Sequence, residues 1–491
     1  MYIGIDNGGT LCKAVLFENN GKPVASASEE LRMITPAGGY TERDMEELWQ
    51  ANCRIIRRVV EDSGADPADI KGVACTGHGK GLYLWGKDNR PAMNGIVSTD
   101  GRAWEYPEKW ANDGTADKAF EKTYQRILAC QPVSLLCWLK DNKPDVFGNI
   151  QWIFEVKDYI RFRLTGEAFA ELTDISGSNL LNLKTRQYDM DLLGLYGLES
   201  IRDALPPLKR SFDPCGRVSH EAALLTGLAE GTVVAGGMFD IDACAIAMDI
   251  TNGDNIAVIA GTWSINEYIS KTPVLNKTVM MNSLYCMDGY YLVEECSPTS
   301  AGNLKWFMEM FMPEIKSYRE FDKLAESVSP DEQNLIFLPF LFGSNYNPQA
   351  KASLLGLDSH HTLNHAARAI LEGICFCHKV HVEKLLQNRE STRAIRLAGG
   401  AAKSPLWAQL FADILELPVE LIEADELGAL ACAMAAAVAA GEFADFREAA
   451  ETMVTVKRRV EPNPETYAAY RRKYALYKEV SGALENCWSK F

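Results

Sequence analysis

The sequence predicts an α/β protein built as two similar domains with a cleft between them. Three observations carry that expectation. The chain has 491 residues, more than one hydrophobic core ordinarily serves. Short apolar strand-like runs alternate with segments of helical period. A strand, a glycine turn with a hydroxyl and a second strand occur twice, once around Gly8, Gly9 and Thr10 and once around Gly261, Thr262 and Ser264. Two such hairpins, one in each half, suggest a duplicated domain.

Composition narrows the function. The profile is that of an ordinary globular protein, and the formal net charge of −16 argues against a general nucleic-acid binder, which must neutralise phosphates with Lys and Arg. No apolar stretch approaches the ~20 residues a membrane-spanning helix needs; Leu427–Ala440 is Ala-rich and reads as a buried helix. The expectation is therefore neither nucleic acid nor membrane as partner. The 13 cysteines include no CxxC pair, and no charged-then-apolar leader stands at the N-terminus, so a reducing cytoplasm is expected.

In chain order, Tyr2–Ile5 is an apolar strand ending in Asp6, and the two glycines after it let the backbone bend and approach a ligand. Amide N–H groups freed at such a turn can point at phosphate oxygens. A carboxylate there would repel phosphate without a metal ion between them, so Asp6 reads as a Mg²⁺-side residue. Strands are expected at Lys13–Glu18 and Val24–Ser28. A helix follows, with Thr41 as its N-cap and Met45, Leu48, Trp49, Ile56 and Val60 on its apolar face. The strand Gly72–Thr76 ends in Gly77, His78, Gly79 and Lys80, polar groups between glycines where ligand atoms can come close. Gly95–Val97 leads to Asp100 and Arg102, which could bind sugar hydroxyls or pair with each other. Ser134–Lys140 and Lys157–Leu164 read as helices, Thr173–Gly177 as a polar loop. Strand Thr232–Val234 runs into Gly236-Gly237 and then Asp240, with Asp242 two residues on; a carboxylate at that junction is placed to meet a ligand.

The second half repeats the scheme. Asn255–Ile259 and Asn266–Ser270 are the strands of the second hairpin. Leu363–Leu386 is a long helix, whose His378 and His381 read as ordinary helix-surface histidines rather than metal ligands. Strand Ile395–Ala398 meets Gly399-Gly400, and Ser404 caps the next helix with Pro405 at its first position. That geometry suits a nucleotide but lacks GxGxxG, so no dinucleotide fold is indicated. Pro418–Ile422 is a strand, Lys457–Arg459 a solvated basic run, and Tyr467, Tyr470, Tyr474 and Tyr477 a packing stripe.

Taken together, these motifs resemble the FGGY family of carbohydrate kinases nearly end to end. GIDNGGTLCK resembles its first phosphate motif and GTWS at 261–264 its second. GVACTGHG at 72–79 lines up with the xylulokinase sugar segment, with Gly77 replacing a Met; STDGR at 98–102 and TDISGSNL at 173–180 follow in order. GGMFD at 236–240 falls where the family carries its catalytic aspartate. AGGAAKSPLWAQLFADILELPVEL at 398–421 is similar to the adenosine motif. Departures are Gly9 for Thr, Ser98 for Trp, Leu135 for Lys and Lys351 for Arg. PVSLLCWLK, SPTSAGNLKWF and FLPFLFGSN look most like the L-xylulose kinase branch.

The resemblance implies the actin-like ATPase fold (ribonuclease H-like), with domains 1–249 and 250–491. It implies ATP and Mg²⁺ as cofactors, a small sugar as partner and a homodimer as a candidate assembly. Asp240 would be the catalytic base, preferred over Asp242. Gly8, Gly9, Thr10, Lys13, Gly261 and Thr262 would face the phosphates, Gly399, Gly400 and Ser404 the adenosine, and Gly302 would also bind ATP. Asp6 would serve the metal; His78, Lys80, Asp100 and Arg102 would serve the sugar. The expected reaction is phosphorylation of a ketopentose such as L-xylulose. Alternatives are D-xylulose, ribulose, erythritol, gluconate or glycerol, or a sensor without turnover.

Overall fold

A computed structural model describes residues 1–36, 38–261, 263–344 and 347–491. The first hairpin forms from Tyr2–Asn7 (β1) and Leu11–Phe17 (β2), paired antiparallel with Asp6 opposite Lys13, and Pro23–Glu30 (β3) extends the meander. Gly72–Gly77 (β4) lies parallel to β1, and both are buried on both faces, which is why they read as apolar runs rather than alternating ones. Pro214–Arg217 (β5), Val233–Ala235 (β6) and Met238–Phe239 (β7) complete a seven-stranded sheet of order β5-β6-β4-β1-β2-β3, with β7 beside β4.

The second lobe repeats this plan. Asn255–Ala260 (β8), Ser264–Ser270 (β9), Met281–Leu284 (β10) and Tyr291–Ser297 (β11) form the antiparallel part. Ala394–Gly399 (β12) and Val419–Ile422 (β13) add parallel strands and Val456–Val460 (β14) closes the edge, in the order β10-β11-β9-β8-β12-β13-β14. In each lobe, then, an antiparallel meander joins parallel strands beside its first strand, as a duplicated domain requires.

Helices cover both faces. Met45–Ser63 (α1) buries Leu48, Trp49, Ile55, Ile56 and Val59 against the first sheet together with Val156–Thr165 (α2). Asp240–Ala247 (α3) and Leu427–Ala439 (α6) lie between the lobes, sharing a core with Tyr2, Phe17 and Ala74 of the first sheet and Ala257, Ile269 and Leu292 of the second. Both are apolar almost all round, as helices enclosed on every side should be. Leu363–Leu386 (α4), Pro405–Leu415 (α5) and Tyr467–Leu484 (α7) cover the outer face of the second sheet, where Tyr470, Tyr474 and Tyr477 are core residues.

Three local expectations are corrected. Asp44, not Thr41, is the N-cap of α1, accepting from the amides of Glu46 and Glu47 at 2.9 and 2.8 Å; Thr41 instead precedes the short strand Glu42–Arg43. Thr173–Gly177 is helical, the Glu171 side chain capping Leu172–Ile175 and a 3₁₀ turn following. His378 and His381 are buried rather than on the helix surface. His381 pairs with Glu295, and His378 sits in a hydroxyl and amide network, because α4 is enclosed on several sides. Among the described residues no helix is long and apolar enough to cross a membrane, and all 13 cysteines are unpaired.

Candidate active site

The start of α3 brings Asp240 near Asp6, at the base of the first glycine turn. Gly9 and Thr10 at the tip of the first turn are exposed. Behind it the buried Arg43 donates to the carbonyls of Gly8 and Gly9. With those oxygens held from behind, the turn's amides are left to the cleft side, as a phosphate cradle needs. Arg43 carries no motif of its own, and its role was invisible until the fold brought residue 43 under residues 8 and 9.

The second turn is held in an equivalent way by His378. Its Nδ1 donates to Asn266 Oδ1 at 2.8 Å and its Nε2 accepts from Ser300 at 2.8 Å, with Ser264 Oγ 3.0 Å from Nδ1. Burial drives the His378 pKa down to about 3, so the ring is neutral and can do both at once. It thereby ties the base of the turn that contains Gly261 to the segment that ends at Gly302. Thr262 lies outside the described residues.

Gly399 ends β12 at φ 86°, where a Cβ would stand 2.6 Å from the Ala260 carbonyl. That conformation lets the Gly399-Gly400 pair press against the second turn. Ser404 caps α5 by accepting from the Trp407 amide at 2.9 Å, so its hydroxyl serves the helix. Gly399, Gly400, Lys403 and Glu426 border a cavity of about 1460 Å³ that opens beside the second turn.

Asp6 lies at the end of β1, facing the N-terminal turn of α6. The approach is so close that a Cβ on Gly428 would stand 2.6 Å from Asp6 Oδ2. Burial raises the Asp6 pKa to about 6, against the pull of Lys13. Lys13 itself reaches across the lobes to Glu426 Oε2 at 2.6 Å, so it bridges the halves rather than merely bracing its hairpin.

Asp240 and Asp242 have different surroundings. Asp240, at the first position of α3, retains solvent access, and its carboxyl is held well above the ordinary range by burial and by Asp6 and Asp174. Asp242 is wholly buried and accepts from the Cys286 amide at 3.0 Å, a bond that fastens α3 to the second lobe. Asp6, a buried carboxylate costly to ionise in this setting, offers oxygen donors suited to a divalent oxygen-loving cation.

A buried chain of contacts sets the entry to α3. Lys157 pairs with Asp158 at 2.8 Å and lies 3.4 Å from Glu171 and 3.5 Å from Asp174, all fully buried. Glu171 accepts from Thr173 Oγ1 at 2.7 Å, and Thr173 Oγ1 accepts from the Phe239 amide at 2.9 Å. Thr173→Val removes the acceptor next to Asp240; kcat is expected to fall roughly tenfold, about 1.4 kcal/mol, with KM for sugar little changed in steady-state assays.

On the sugar side, the backbone beyond β4 places Lys80 Nζ 5.3 Å from the Phe239 ring centre, beside Asp240. His78 is buried with Nε2 3.0 Å from the Tyr83 hydroxyl, and burial, reinforced by Arg43, lowers its pKa to about 3. Asp100 and Arg102 meet each other in the structure, whatever they do for the sugar. They pair with each other through two 2.9 Å contacts, Asp100 also accepts from the Thr41 amide, and Arg102 also binds Glu42 at 2.8 Å. Of this pair only Arg102 Nη1 remains without a hydrogen bond.

Comparison with known proteins agrees with this architecture. Residues 1–247 match the N-terminal domain of the FGGY family of carbohydrate kinases and residues 256–440 match its C-terminal domain. A probable L-xylulose kinase from Pasteurella multocida is 37% identical, over 99% of both chains. An L-xylulose/3-keto-L-gulonate kinase from Escherichia coli is 34% identical, over 99% of this chain and 97% of the relative. The crystal structure of a ligand-bound xylulose kinase from Lactobacillus acidophilus superposes with a TM-score of 0.93 at 27% identity, covering 100% of this chain and 99% of that one. With both halves of the chain matched in order, and with the two-lobed mixed-sheet fold of those kinases, this protein belongs to the FGGY family of carbohydrate kinases.

Proposed function

We propose that this carbohydrate kinase transfers the γ-phosphoryl group of ATP to a hydroxyl of L-xylulose, with Asp240 as the base. The observation that supports Asp240 is its contrast with Asp242: one carboxylate opens to the cleft, the other is sealed and spent on an amide. The relatives named for L-xylulose, at 37% and 34% identity, support the choice of sugar.

In this reading the sugar hydroxyl meets Asp240, which takes its proton as the phosphoryl group arrives. Phosphoryl transfer passes through a loose transition state, so positioning and charge neutralisation supply most of the rate. The turn amides at Gly8, Gly9 and Gly261 hold phosphate oxygens, Arg43 and His378 hold those turns in shape, and Gly399 and Gly400 border the adenosine. Asp6 would hold Mg²⁺, which when bound neutralises phosphate charge, and Asp240 stays free to act as the base. Lys80 and His78 meet the sugar. The domain boundary falls at 249/250, between α3 and β8, so that closing the lobes brings the two turns together and excludes water.

The test is an ADP-release assay across L-xylulose, D-xylulose, ribulose, erythritol, glycerol and gluconate. L-xylulose should give the highest kcat/KM; a higher value for another member would overturn the choice of sugar, and no sugar-stimulated ADP release would overturn the kinase assignment to this site. The name of the second relative favours one further reading, a sugar acid such as 3-keto-L-gulonate as an additional substrate.

A further inference from the structure

The charge of the sugar side decides between those two substrate classes. Glu294 lies on β11, directly opposite Glu267 on β9, both almost completely buried. Like charges facing each other across a strand pair are destabilising, and a buried carboxylate without donors is more so. Neither oxygen of either residue has a hydrogen bond in the protein, Glu294 having only the weak Cys296 thiol beside it. Leu292, two residues along and so on the same face of β11, packs in the core formed by α3. Glu294 is one step nearer the second phosphate turn on that face, which turns it toward the N-terminal end of α3, where Asp240 and Lys80 stand. Glu155 follows the strand that pairs Phe154 with Tyr83, the partner of His78, and both of its oxygens also lack a hydrogen bond.

The cations nearby are mostly committed. Lys157 serves Asp158, Glu171 and Asp174; Arg43 serves the glycine turn; Arg102 serves Asp100 and Glu42. Among the described residues Lys80 is left to face Asp240, Glu155 and Glu294. Hydroxyl groups can donate to carboxylate oxygens and satisfy them; a sugar carboxylate at neutral pH has no proton to donate and adds one more anion.

We propose that the sugar side of this cleft selects uncharged sugars over sugar acids, and that Glu294, supplied by the second lobe, is the residue that sets the preference. This rests on the kinase reading above, but its test does not require turnover. Equilibrium binding of L-xylulose and of gluconate is measured by calorimetry on the full chain and on Glu294→Gln, alongside kcat/KM for both sugars. The wild-type protein is expected to prefer L-xylulose at least hundredfold. Glu294→Gln, isosteric and without a carboxylate charge, is expected to shrink that preference at least tenfold. A smaller wild-type preference, or a ratio unmoved by the substitution, would overturn the proposal. Selective binding without phosphorylation would instead overturn the kinase reading and leave the selectivity standing.

Discussion

Asp240→Asn is expected to lower sugar phosphorylation by a factor of roughly 10²–10⁴, the usual contribution of a positioned base. ATP binding by calorimetry should survive, because the glycine turns and the Gly399-Gly400 pair are untouched. Asparagine keeps the shape of the side chain and cannot take the hydroxyl proton. The pH profile gives an independent check. Burial first, then the charges of Asp6 and Asp174, raise the Asp240 pKa, and a base works only when deprotonated. Turnover of the native enzyme should therefore climb as pH rises through that raised value, while the residual rate of the variant lacks this limb. Normal turnover in Asp240→Asn would remove the carboxylate from the chemistry.

The second large effect concerns stability. Lys157→Met leaves Asp158, Glu171 and Asp174 buried around a missing cation, Asp158 alone keeping Arg161 at 2.8 Å. Breaking a buried charge cluster by removing one member costs roughly 3–5 kcal/mol, because the survivors stay desolvated and unpaired. Denaturant titration should show that loss, and activity should fall with it, since Glu171 and Thr173 support the amide of Phe239. The half-exposed Lys13–Glu426 bridge is the control: Lys13→Met should cost below about 1 kcal/mol, as solvent screens such a pair. A Lys157→Met protein as stable as the native one would mean the carboxylates had simply taken up protons.

Much of this architecture was legible before any coordinates. The repeated hairpin, the apolar strand at 72–76, α4 with its bounds, the Ser404-Pro405 helix start and the Ala-rich α6 all follow from local patterns of period, cap and turn. Misreadings arose where a local pattern had two solutions. Thr41 and Asp44 both suit a cap, and the pairing of Glu42–Arg43 with Gly95–Ile96 takes Thr41 out of the contest. The run Thr173–Gly177 is polar because its groups face one another and Glu171 inside the protein, not water. A polar stretch in sequence cannot tell those cases apart. Asp100 and Arg102 likewise could pair or serve the sugar on sequence alone; side-chain geometry shows the pair and leaves the sugar role to experiment.

The order of glycine, aspartate and strand along the chain was sufficient to suggest a duplicated α/β protein with Asp240 at a strand-to-helix junction, and the motif resemblance added the kinase reading. Tertiary structure alone decided which distant polar groups meet: Arg43 behind the first turn, His378 beneath the second, Lys157 among three carboxylates, and Glu294 on the Lys80 side of the cleft. The physical reason is range. Period, capping and turn chemistry act between residues a few positions apart, whereas electrostatic partnership depends on distance in space and on exclusion of water, and residues 43 and 8, or 294 and 80, acquire both only once the sheets have formed and the lobes have met.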